Sequence, residues 1–415
     1  SVFNSAGTFQ WSKRLGGTNN DKGRGVAVDS SNNIIVTGDV IDNADLNGDA
    51  AVTAPYHFYQ STFEDTAVQI TTAAKSISVD TNSSDDIDTS SIAVTGLAGV
   101  AGNTSWPNGY DDFYIMKYEL SQGQYVDFLN TLTRVQQGTR VAATVSGNTI
   151  ANYYVLSNGT TVANRQGIRA PASGNGTSPT AIVFGNDFNA NGTFNESDDG
   201  QSIGLNYVSW SDQAAYADWA GLRPYTELEY EKATRGPTSA VYGEYAWGST
   251  TITQATSILN SGRNSEVAGN AGAGLATYSN HASVQGPLRV GFAPTTATNR
   301  IAAGAGYYGI TDLSGNVAER TVSLGSSVGR AFTGTHGDGT LITTASFEGN
   351  ATNTDWPGID GTTNKGVTGG TGGGLRGGSW SDANTSLSIA DRSSATGGLN
   401  TRLSTNGGRM SRTAP

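Results

Sequence analysis

Two stretches of this 415-residue chain carry residue types that could do chemistry. In DFNANGTFNESDDG, Asp187, Asn189 and Asn191 fall at positions 1, 3 and 5 of a loop, Gly192 at 6, Thr193 at 7 and Asp198 at 12. That EF-hand-like spacing lets alternating side-chain oxygens and one backbone carbonyl wrap a calcium ion. The flanks do not read as helices, and two Asn stand where carboxylates would bind more strongly. The expected affinity is therefore of the weak extracellular kind, about 10⁻⁴–10⁻³ M. A plain Asn/Gly-rich turn accounts for the same spacing equally well. The second stretch, LRGGSWSDANTSLSIADRSS from Leu375, joins a glycine turn to a Trp, one carboxamide, two carboxylates and two arginines.

Other chemistries lack their residues. With no Cys there is no thiolate nucleophile, no disulfide and no soft metal ligand. The His residues, His57, His281 and His336, lie in separate segments without the i, i+4 spacing that places two ligands on one helix face. There is no GxSxG elbow, phosphate-binding glycine loop or HExxH. Glu227 and Glu231 are spaced i, i+4, but Glu229 and Lys232 beside them suggest a solvated helix face. A net charge of −11 and a pI near 4.7 argue against nucleic acid, whose binding is driven by cationic side chains. No apolar run is long enough for a transmembrane segment. A chain opening at Ser1 without Met or signal sequence suggests an exported protein, extracellular or on the cell surface, with its signal peptide removed.

The elements that must position these residues are short. Only 36% of residues are hydrophobic and 14% charged, while Gly numbers 56, so polarity comes from Ser, Thr, Asn and Gly, and much irregular loop is expected. GVAVD and NIIVTGD flank Ser30-Ser31-Asn32-Asn33, a hairpin within residues 1–40. Residues 41–108 read as a small β module, with DTAVQI, KSISVD and SIAVTGL as strands, and 109–415 as a separate domain. In that domain Ser121 with Gln124 caps an amphipathic helix that buries Tyr125, Phe128, Leu129 and Leu132. Ser211 is expected to cap a second helix ending near Gly221, and Thr226 with Glu229 a third. Trp210, Trp219, Trp247 and Trp380 read as core aromatics.

Ordered along residues 111–412 are DDFYIMKYELSQGQYVDFLNTL, NYVSWSDQAAYADWAGLRPYTELEYEKATRG, EYAWGS, YGITDLSGNVAERT, LRGGSW and TNGGRM. Together these blocks resemble the formylglycine-generating enzyme (sulfatase-modifying factor) family. The segment W…LGGT…GRGVAVDSSNNIIVTG within residues 6–40 resembles a single SBBP-type β-propeller repeat. The first resemblance implies an α+β, C-type-lectin-like domain rich in irregular loop, preceded here by a small all-β region. It also implies a copper site on two cysteines downstream of the RGGS turn. In this chain those positions fall on Asp382 and Leu387, neither a soft ligand, so no copper and no oxidase chemistry are expected. Iron on three His, as in a sister branch of the fold, is not expected either. The family's calcium loop corresponds to DLSGNVAE, with Asp312 and Glu319 as carboxylate ligands and Gly315 and Val317 as carbonyl ligands.

These features suggest a non-catalytic surface or structural protein stabilised by calcium, self-associating into a filament, sheath or surface layer. A carbohydrate- or protein-binding adhesin is an alternative, its ligand surface formed by Trp380, Asp382, Asn384, Asp391 and Arg392. An enzyme with altered chemistry in the old pocket is another.

Overall fold

In the computed structural model, backbone strands are described within the first 98 residues. Side chains are described for 69–71, 99–100 and 102–414, except 147, 149, 173–179, 294–298 and 363. The chain divides into two compact units, Ser1–Ala50 and Ala51–Pro415.

In the first unit, strands β1 (Lys22–Val28) and β2 (Ile34–Asp39) pair antiparallel across the Ser-Ser-Asn-Asn connection, with Val26 opposite Val36 and a register shift between Gly23 and Gly25. The shift makes a bulge, as glycine in a strand often does. In the second unit, β3 (Tyr56–Phe58) pairs with β4 (Val68–Ile70), and β5 (Lys75–Ser78) with β6 (Ser91–Val94), both antiparallel.

The rest of the second unit mixes helices with very small sheets. β7 (Phe113–Ile115) leads into α1 (Gln122–Thr131), and α2 (Arg134–Arg140) follows at once. Ser121 and Gln124 form a capping box at α1, which buries Tyr125, Phe128 and Leu129 beneath α3 (Trp210–Trp219). The α3 cap is Ser209, not Ser211: Ser209 Oγ accepts from the Asp212 N–H while Asp212 accepts from the Ser209 N–H. A carboxylate at the third helical position selects the earlier serine, and Ser211 lies inside the first turn. Thr226 and Glu229 box the start of α4 (Glu227–Arg235), which Gly236 ends at φ 62°.

Between these helices, β8 (Ile168–Arg169) pairs with β9 (Gly185–Asn186). Further on, β10 (Ala318–Val322) forms the centre of a three-stranded sheet, flanked by β11 (Gly373–Arg376) antiparallel and β12 (Asn406–Gly407) parallel. The last strand, β13 (Ser411–Thr413), returns to pair with β7. This brings TNGGRM back beside the opening block, and the Arg223 and Ser411 backbones exchange hydrogen bonds across it. Trp106, Trp210 and Trp356 anchor the main core, and Trp247 a second one with Tyr225, Tyr230 and Leu387. Trp380 is also buried, whereas Trp219 packs at the edge of the main core.

One histidine has a structural task. His336 Nε2 accepts the Thr413 N–H at 2.9 Å, tying a loop to β13. Burial, reinforced by Arg223 and Arg412, pushes the imidazole down to about 4. A histidine depressed in the folded state lends stability above its unfolded value of about 6.5 and loses it as pH falls from there through about 4. Acidification from pH 7.5 to 4.5 is expected to cost about 1–2 kcal/mol through this group, its partial solvent contact screening the rest. The His336→Asn variant should show a flatter dependence of melting temperature on pH over that window; a slope equal to wild type would refute the assignment.

Candidate functional site

The RGGSW stretch is positioned from below by α4. Contrary to a solvated face, every residue of α4 is buried. Glu227 accepts from Arg392 Nε at 2.9 Å and Arg376 Nη1 at 3.2 Å, and also from the Leu324 N–H at 2.7 Å. Arg376 continues to Glu231, which also pairs with Arg235, and Arg235 reaches Glu244. Three guanidiniums thus alternate with three carboxylates beneath β11. Burial alone would raise the Glu227 carboxyl, but Arg392 and Arg376 outweigh it and hold the group below its ordinary range. Lys232, expected in solvent, instead donates to the Tyr110 and Asp111 carbonyls at 3.1 Å, and burial pushes it down to about 8.

Above this frame Gly377 and Gly378 take φ of 84° and 63°, a left-handed pair that side chains resist. The turn opens a cavity of about 290 Å³ lined by Asp382, Ser386, Asp391, Ser393, Thr405 and Asn406. Asp382 Oδ2 accepts from the Ser379 N–H at 2.9 Å and its hydroxyl at 2.6 Å; Asp391 Oδ1 accepts from the Ser393 N–H and hydroxyl. The Asn406 side chain is buried with no partner for its amide nitrogen. Leu399 and Leu403, 55% and 45% exposed, line the same cavity.

Of the five expected ligand-surface residues, two are not at the surface. Trp380 is buried with its indole N–H on the Ser404 carbonyl, and Arg392 is buried on Glu227. Asp382 and Asp391 line the cavity, and Asn384 is exposed in a short 3₁₀ turn. At the positions where the resemblance puts copper ligands, Asp382 holds the turn and Leu387 is fully buried in the second core. These residues do not fit copper. Asn406 and Thr405 were absent from the sequence-based set, although TNGGRM was recognised as a block; its pairing with β10 puts them in the cavity wall.

The DLSGNVAE loop is built differently from a bare surface turn. Asp312, at φ 64°, accepts from the Gly291 N–H and the Thr311 hydroxyl. Gly315 donates its N–H to the Gly377 carbonyl, and Val317 donates its N–H to Glu119. Glu319 receives Arg409 on both oxygens at 3.0 Å and also the Tyr225 hydroxyl. Burial, then Asp312 and Glu319, push the Glu119 carboxyl well up. The oxygens are hard, as calcium requires, but the Glu319 carboxylate is already matched by a guanidinium.

In the DFNANGTFNESDDG loop, Asp187 pairs with Arg169 and accepts from the Gly192 N–H at 3.1 Å. Asn189 and Asn191 accept from the Asn191 and Thr193 N–H groups, and Asn189 donates to Asp198 at 3.1 Å. Among the described residues, Glu196, Asp198 and Asp199 form a group whose potential ligand atoms all lie within 4.8 Å of one another. Spacing alone had not included Glu196 or Asp199.

An α+β domain with this ordered set of blocks and a charged frame under an RGGS turn defines a class. The chain belongs to the sulfatase-modifying factor enzyme 1-like family, matched over residues 104–412, and residues 10–39 match a β-propeller repeat. Over 42 residues it is 52% identical to the formylglycine-generating enzyme of Streptomyces coelicolor, a match covering 10% of this chain and 13% of that enzyme. Treponema denticola variable protein 1, a solved structure, is similar at 13% identity with a TM-score of 0.34, covering 87% of this chain and 99% of that one. Among the described residues no helix is long and apolar enough to cross a membrane.

Proposed function

We propose that this chain is a non-catalytic extracellular surface protein whose C-type-lectin-like domain holds a ligand in the cavity beside the RGGS turn. The observation that carries the reading is the pair Asp382 and Leu387: one carboxylate that holds the turn through its Oδ2 alone, one apolar side chain sealed in the core. Neither position supplies the polarisable thiolate that selects Cu(I). The cavity wall offers hydroxyls and carboxylate oxygens beside the apolar edges of Leu399 and Leu403. Such a lining suits a polyhydroxylated ligand, which exchanges many hydrogen bonds and covers a small apolar face. Calcium in the 312–319 loop would stiffen the turn that contacts Gly377.

Purified protein incubated aerobically with Cu(I) and a cysteine peptide is expected to form no formylglycine aldehyde above a copper-only control and to retain no stoichiometric copper or iron. Turnover would overturn the reading. On a glycan array, binding is expected, and the Asp382→Asn/Asp391→Asn variant should weaken it by about tenfold or more, the scale of losing charge-assisted hydrogen bonds. An array silent for wild type would reject the carbohydrate ligand.

A second reading, self-association, is favoured by the two-stranded β1–β2 sheet, since a hairpin presents edges able to accept another strand. Negative-stain microscopy with and without calcium tests it, and dispersed monomers in both conditions would count against assembly.

A further inference from the structure

The 187–199 loop gathers more charge than its spacing revealed. Asp187, Glu196, Asp198 and Asp199 are four carboxylates facing two guanidiniums, Arg169 on Asp187 and Arg263 on Asp198. Two negative charges are left over. Asp199 is fully buried; its Oδ2 accepts the Glu196 N–H at 2.8 Å, while its Oδ1 has no hydrogen-bond partner. A buried acceptor without a partner carries a desolvation cost that a bound cation would offset. That oxygen belongs to a carboxylate lying within ligand distance of those of Glu196 and Asp198.

We propose that this loop binds one calcium ion, with oxygens from Asp187, Asn189, Asn191, the Thr193 carbonyl and Asp198, and with Glu196 and Asp199 closing the charge balance. The donor set selects the metal. All donors are hard oxygens, and the loop contains no His or Cys, which disfavours zinc and copper. Carboxamide and backbone donors on an irregular turn suit the flexible, high coordination of calcium better than the strict octahedron of magnesium. The loop is also joined to a second one: Gly200 donates to the Gly262 carbonyl at 2.9 Å, and Arg263 grips Asp198 at 2.8 Å. A cation here would lock the 187–199 segment against the 260–266 segment. The site shares no residue with the lining of the cavity beside the RGGS turn, so its failure would leave the ligand reading untouched.

The test uses the full chain, stripped with EGTA, exchanged into chelator-free buffer and titrated calorimetrically with calcium chloride alone. Binding is expected in the range of about 10⁻⁴–10⁻³ M, with magnesium at the same concentration failing to compete. The Glu196→Gln/Asp198→Asn variant changes residues with solvent contact, so it should fold, and it is expected to weaken binding by about tenfold or more. The Asp312→Asn variant should keep the binding event, which separates this loop from the other candidate. Calcium should also protect the 188–197 segment from limited proteolysis in wild type and not in the double variant. No binding to wild type, or unchanged binding and protection in the double variant, would overturn the proposal.

Discussion

Replacing Glu227 by Ala is expected to destabilise the larger unit by about 3–5 kcal/mol, the cost of stranding buried cationic partners. Arg376 and Arg392, 2% and 3% exposed, both lean on this carboxylate, and removing it takes one negative charge from between two buried guanidiniums. The Leu324 N–H and the Ser323 hydroxyl would also lose their acceptor. Denaturant unfolding at pH 7 measures the loss. Glu227→Gln retains shape and one acceptor, so it should fall between wild type and Ala. The same group sets an acid leg: its carboxyl is depressed, so its stability is present above the unfolded value of about 4.5 and disappears as pH falls through the lower folded value. A loss below about 1 kcal/mol for Ala would mean that the frame is no stronger than a surface ion pair.

The second large effect lies under the 312–319 loop. Arg409 is fully buried and donates to both Glu319 oxygens, to the Met116 carbonyl at 2.6 Å and to the Thr311 carbonyl at 2.7 Å. Burial raises both the Glu119 and the Asp312 carboxyls, the Asp312 charge adds to the rise at Glu119, and Arg409 opposes both. Arg409→Met is expected to cost about 3–5 kcal/mol, because Glu319 then sits buried and uncompensated. Arg409→Lys should recover only part of that, since an ammonium cannot reproduce the planar fork that spans carboxylate and carbonyls. Thermal unfolding of the three proteins in EGTA provides the comparison. Equal stability of the Lys variant and wild type would show that charge alone, not fork geometry, holds the loop.

Local chemistry was readable where a few neighbouring residues suffice. The boxes at Ser121 and Thr226 are satisfied within one turn, so spacing located them. The same logic could have chosen Ser209 over Ser211, because Asp212 stands three residues beyond the former. The β1–β2 hairpin was likewise legible from two β-prone runs around a turn. The α4 helix was not. Its Glu-rich sequence has the composition of a solvated face, and while Arg223 and Arg235 are near in sequence, the two arginines that neutralise Glu227, Arg376 and Arg392, come from 149 and 165 residues away. Arg392 and Trp380 admitted two readings, core frame and ligand surface, for a related reason. Their types fit both a binding surface and a core, and the choice depends on Glu227 and on the Ser404 carbonyl.

The sequence alone determined what this protein cannot use for catalysis: without cysteine no thiolate can form, wherever the chain folds. It also determined the family and the order of its blocks, since those rest on residue identity and spacing. Tertiary structure decided which polar residues are spent and which remain available. Glu227, Arg376 and Arg392 neutralise one another, whereas Asp382 and Asp391 line a cavity and Asp199 keeps an oxygen unpartnered. The reason is physical: in a buried setting a charge or hydrogen-bonding group is defined by its partner, and these partners are brought together only when the distant segments pack.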